Sequence, residues 1–213
     1  MTATTLPGIE ERTFTPGTTG WSAEDLLDPE IERLWEIGSY EIVEGVLTIV
    51  PPAQFASSSS LLNLLFLVTR FMDDNGIEGQ FGIEADYIIS SHRVARTDAL
   101  LLMKADFRRH RRTSQVSRRY KRKGRIGRIT QPPTLVIELI SLGHERHDRV
   151  VKRGWYEEAG VPHFWILDEV NQTLECYRHD AVKFMLDAKG RGDDTVRPSL
   201  FKGLSIPLQR LWI

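Results

Sequence analysis

Glu138 stands in the run Leu135-Val136-Ile137-Glu138-Leu139-Ile140, with no polar neighbour for two residues on either side. The run is apolar at both alternating positions, so neither strand face looks wet. An unpaired carboxylate buried there costs on the order of several kcal/mol, so it needs a metal, a cation or a proton beside it. Asp98 poses the same question between Val94-Ala95 and Ala99-Leu100-Leu101-Leu102. Asp148 and Lys152 lie four apart and would share one helix face. A carboxylate so placed could hold a metal ion. Plainer readings stand beside this one. Asp98 could face solvent, Glu138 could pair with an arginine in the core, and Asp148–Lys152 could be a surface pair worth a few tenths of a kcal/mol.

These residues must be carried by elements, and the pattern supplies them. Residues 1–20 carry prolines, glycines and threonines and form an extended arm. Ser22 would cap a short helix, with Asp25 at its third position. Residues 40–50 (YEIVEGVLTIV) make a hairpin around Glu44-Gly45. Leu61, Leu64, Leu65, Val68 and Met72 predict a helix over 55–74. Strands follow over 79–89 and 95–103, then a strand over 133–141 buried on both faces. A helix over 145–159 is closed by Gly160 and Pro162, and strands return at 164–167 and 173–177. Residues 201–213 would form a returning edge segment. The strand–helix–strand step implies a parallel crossover beside antiparallel strands. The expected fold class is α/β (α+β mixed sheet): a central mixed β-sheet flanked by helices, with an N-terminal arm and β-hairpin. An arm and short helix occupy 1–39, and one domain occupies 40–213.

The 213 residues are 41% hydrophobic and 27% charged, which excludes wholesale disorder. No secretion signal is visible and Cys176 is the only cysteine, so an intrachain disulfide and Cys-rich zinc sites are excluded and a cytoplasmic location is expected. Cys176 is read as structural. No membrane partner is implied. The formal net charge of -1 hides a segregation: residues 107–128 hold Arg108, Arg109, Arg111, Arg112, Arg118, Arg119, Lys121, Arg122, Lys123, Arg125 and Arg128 and no acid. This block would bind nucleic acid, with Tyr120 available to stack on a base. It could instead be a solvated loop, or pair with the acidic remainder or a second subunit. His144 and His147, three apart, offer a rival metal site without a third ligand at a diagnostic spacing.

The segments YEIVEG, TDALLL, PPTLVIELIS and RVVKRGWYEEAGVPHFWILD, in that order, resemble the Uma2-type (DUF820) family of the PD-(D/E)XK restriction-endonuclease-like superfamily. The similarity runs from about Tyr40 to the C-terminus and is most specific from Pro132 to Asp168. It implies a restriction-endonuclease-like core carrying 107–128 as a basic insertion. It also implies an endonuclease that hydrolyses DNA phosphodiester bonds with Mg2+ or Mn2+. Asp98 and Glu138 would hold the metal, and Lys152 would complete the catalytic set. The superfamily's usual lysine position, two residues past the Glu, is Ile140 here, and Lys152 takes its place from the next helix. Thr97 stands where the family motif has proline, and 57–60 lack the histidine common in relatives. Glu41 matches an acidic hairpin residue; with Asp148 and Ser141 it would stand behind the ligands. A homodimer stays open. So do a catalytically inactive nucleic-acid-binding or protein-interaction module, and an enzyme acting on a small phosphorylated substrate.

Overall fold

The structure, a computed structural model, describes residues 13–116, 126–140 and 145–212. In chain order it contains a 3-10 turn Asp25–Leu27, α1 Pro29–Glu36, β1 Tyr40–Val43, β2 Val46–Ile49, α2 Phe55–Asp74, β3 Gly79–Ser90, β4 Arg93–Met103 and α3 Phe107–Thr113. There follow β5 Leu135–Leu139, a π-helical segment His147–Lys152 running directly into α4 Arg153–Glu158, β6 His163–Asp168, β7 Thr173–His179, β8 Phe184–Arg191, β9 Thr195–Val196 and β10 Ile206–Pro207. The chain divides into two compact units. One comprises Met1–Pro52, Asp86–Arg96 and Arg108–Gln131; the other comprises Ala53–Ala85, Thr97–Phe107 and Pro132–Ile213.

In the first unit, Asp25 accepts hydrogen bonds from both the amide and the hydroxyl of Ser22. That half of a capping box closes only the 3-10 turn, so the helix expected at Ser22 begins one turn later. Asp28 is its N-cap, accepting from the amides of Glu30 and Ile31, and Pro29 occupies the first turn where no amide is needed. The β1–β2 hairpin turns through Glu44 and Gly45, both at positive φ (50° and 77°), the primed turn that fits strand twist. Trp21, Leu26, Ile31, Trp35, Ile42, Leu47 and Val94 form this unit's core.

In the second unit the sheet order is β4-β5-β6-β7-β8. Only β5–β6 is parallel; β4–β5, β6–β7 and β7–β8 are antiparallel. This is the mixed sheet the sequence predicts. The edge strand β8 was not foreseen, and the tail forms a small β9–β10 pair instead of an edge of the sheet. Leu61, Leu64, Leu65, Val68 and Met72 of α2 pack on Ala99, Leu101, Leu135, Ile137, Leu139, Trp165 and Leu167. Each such side chain, fully buried, contributes about 1.5–3 kcal/mol. α2 has the length and apolarity of a membrane span, yet this stripe is packed as the core helix of the unit. Since Leu135, Ile137 and Leu139 face α2, alternation turns Val136 and Glu138 to the opposite face, where the π-segment and α4 lie.

Candidate active site

Ala99 pairs with Ile137 across β4 and β5, and Asp98 and Glu138 are the next residues along their strands, turned by alternation to the face opposite that pair. The ladder is replaced at that step by a side chain: Asp98 Oδ2 accepts the Leu139 amide at 2.7 Å. Glu138 is fully buried. Its Oε2 accepts from Lys152 Nζ at 3.1 Å and its Oε1 from the Tyr156 hydroxyl at 2.5 Å. Asp148 Oδ1 lies 3.7 Å from the same ammonium. The Asp148–Lys152 surface pair is therefore corrected: both residues are buried, because their helix face is pressed on the sheet.

The π-segment explains this stripe. Asp148, Lys152 and Tyr156 recur every four residues, and the widened turn up to Lys152 gives way to ordinary α-helix from Arg153. A four-residue step falls short of one π turn and overshoots one α turn, so the opposite drifts keep all three on one line. Gly160, at φ 71°, ends the helix.

A second anchor fixes the helix. Arg149 Nη2 lies 2.7 Å from Asp168 Oδ2 and its Nη1 lies 3.2 Å from Glu175 Oε1. Lys189 and the Tyr177 hydroxyl also bind Glu175. Glu138, Ile166, Glu175 and Lys189 are register partners across β5 to β8 and form one row. Arg149 and Lys152, three apart, thus grip that row at two points.

Burial acts to raise the Asp168 carboxyl, but hydrogen bonds from Asn171 and the Arg149 guanidinium outweigh it and hold its pKa below the usual range. Glu175 is likewise held low, against burial, by Tyr177, Lys189 and Arg149. Such groups stabilise the fold above the ordinary carboxylate range, near pH ~4, and lose that contribution as pH falls through their lowered values. Arg149→Met should therefore melt lower at pH 7, with the gap to wild type narrowing between pH 5 and 3. Melting curves followed by circular dichroism test this; a constant gap would remove Arg149 from the acid response.

Glu41 is buried and accepts the Arg96 amide at 3.0 Å within the first unit. Thr97 donates to the Ala85 carbonyl at 3.0 Å, so its buried hydroxyl is satisfied. Ser141 and His144 lie outside the described residues, as do Arg118, Arg119, Tyr120, Lys121, Arg122, Lys123 and Arg125. His147 packs edge-on against Trp155, with ring centroids 5.9 Å apart. Arg108, Arg109, Arg111 and Arg112 are exposed on α3. Within the basic block the Arg128 side chain is 9% exposed and is engaged by Glu32 at 3.3 Å and Asp86 at 3.3 Å. Cys176 is buried, and burial pushes its thiol well above the ordinary range, as suits a structural residue. Tyr156 and Arg149 are the site residues the sequence reading passed over; the spacing Asp-x3-Lys-x3-Tyr was the available signal for Tyr156.

Residues 28–209 match the model of the Uma2 family, described as "Putative restriction endonuclease". The chain belongs to the Uma2 family. No curated protein matches its sequence. A solved structure with the same fold is described as "a putative nuclease belonging to DUF820" from Anabaena variabilis. It is 15% identical, with a TM-score of 0.59 over 82% of this chain and 90% of that one. At that identity the likeness shows the fold. Within a Uma2 protein the donor chemistry can be tested for a divalent ion. Among the described residues no group of three or more His, Cys, Asp or Glu could cage a metal. Asp98 and Glu138 offer two carboxylates on one sheet face, a set too small for a closed zinc site. It fits magnesium or manganese completed by water and a substrate phosphate.

Proposed function

We propose that the chain is a metal-dependent endonuclease hydrolysing DNA phosphodiester bonds, with Asp98 and Glu138 as ligands of Mg2+ or Mn2+ and Lys152 beside them. The observation that carries this reading is Asp98 tied to the Leu139 amide, next to Glu138 in β5, with the buried Lys152 ammonium 3.1 Å from Glu138. A bound divalent ion would lower the pKa of a water and offset charge on the phosphoryl oxygens. Asp98, half-buried, is tethered to the Leu139 amide. Lys152 supplies a compact positive charge that neutralises the charge developing on the phosphate. Its buried helix position fixes that charge before substrate arrives.

Nicking of supercoiled plasmid in the presence of Mg2+, lost on chelation and in Asp98→Ala, is the expected result. DNA retention without nicking, and without any rise in melting temperature on adding Mg2+ or Mn2+, would favour the inactive binding module instead.

Four exposed arginines on α3 would meet the DNA backbone. Replacing Arg108, Arg109, Arg111 and Arg112 together by alanine should flatten the dependence of log affinity on log salt by about 3–4, at roughly 0.9 per phosphate contact. Fluorescence anisotropy on a labelled duplex reads this slope. An unchanged slope would take α3 out of the interface.

A further inference from the structure

Both oxygens of Glu138 are held, but by donors of different character. Lys152 brings a compact point charge that also lies 3.7 Å from Asp148 Oδ1, so it neutralises the carboxylate without setting its plane. Tyr156 is different. Its ring is fully buried and packed against Phe164 at 5.4 Å between centroids, and only two torsions position its hydroxyl. The 2.5 Å contact to Oε1 lies in the range of short, charge-assisted O–H···O⁻ bonds. An ionised carboxylate can accept at about four sites, so donors on both oxygens are compatible with metal ligation.

We infer that Tyr156 is a positioning residue: its hydroxyl sets the rotation of the Glu138 carboxylate and thereby the direction from which that group takes a divalent ion. The inference rests on the proposed metal-dependent reading of the site. Groups that orient a metal-binding side chain typically change metal affinity or activity about 10–100-fold when removed.

The test is Mn2+ titration followed by the electron paramagnetic resonance signal of the free ion, on wild type, Tyr156→Phe, Phe164→Leu and Asp98→Ala. Tyr156→Phe keeps the ring and removes only the hydroxyl. Phe164→Leu disturbs the same packing and leaves the hydroxyl in place. Expected are a roughly 10–100-fold weaker Mn2+ affinity in Tyr156→Phe, near wild-type affinity in Phe164→Leu, and loss of binding in Asp98→Ala. Nicking by Tyr156→Phe should recover as Mn2+ is raised, an effect on metal occupancy that general destabilisation would not produce. Equal affinities in wild type and Tyr156→Phe, or equal weakening in both ring variants, would overturn the role of Tyr156 while leaving the nuclease reading intact. A wild type that binds no Mn2+ would overturn both.

Discussion

Lys152→Met should lower plasmid nicking by about a hundredfold or more, with the protein still folded at assay temperature. The magnitude follows from the loss of one fixed group that stabilises transition-state charge, which typically costs about 3–4 kcal/mol of barrier. Methionine keeps the stem that packs under the helix, so the change is close to a removal of charge alone. The ammonium stands between Glu138 Oε2 at 3.1 Å and Asp148 Oδ1 at 3.7 Å, so its loss leaves two acids facing each other. Initial rates at saturating Mg2+ provide the measurement. Wild-type rates in the variant would assign Lys152 a purely structural task.

The second large effect is on stability. Glu138 and Lys152 have side-chain exposures of 0% and 5%, so breaking the pair from either side weakens the compensation of a buried charge. Glu138→Gln and Lys152→Met should each cost about 3–5 kcal/mol in urea unfolding. The double variant should cost less than the sum, with a coupling of about 1–3 kcal/mol, because neither residue is then left charged without its partner. Nicking should stay lost in the double variant. Strict additivity would show that the two groups do not act as a unit. Well-packed apolar residues could replace such a pair at little or no loss in stability, so activity that does not return with stability is the signature of a site kept for chemistry.

The sequence made some of this legible for definite physical reasons. The five apolar residues of α2 lie at helical spacing and all are buried as that spacing demands. The run around Glu138 is apolar at every position, and all five residues of β5 are buried. Other features depend on tertiary context. A π-turn has no local sequence code, so the alignment of Asp148, Lys152 and Tyr156 could be read only as spacing. α3 was missed because its run, FRRHRRT, has no apolar period; His110 is its single buried residue. β8 was missed because Met185 and Leu186 are exposed apolar residues that break the strand alternation. Arg128 was counted with ten other cations, and nothing in the composition of the block distinguishes the one that Glu32 and Asp86 hold.

The most direct test is a crystal of the wild-type protein soaked with Mn2+ and measured for anomalous scattering. A peak within about 2.0–2.3 Å of carboxylate oxygens from both Asp98 and Glu138, with Lys152 close by, is the predicted result. Anomalous density absent from these two carboxylates at saturating Mn2+, with Lys152 and Tyr156 still bound to Glu138, would contradict the account.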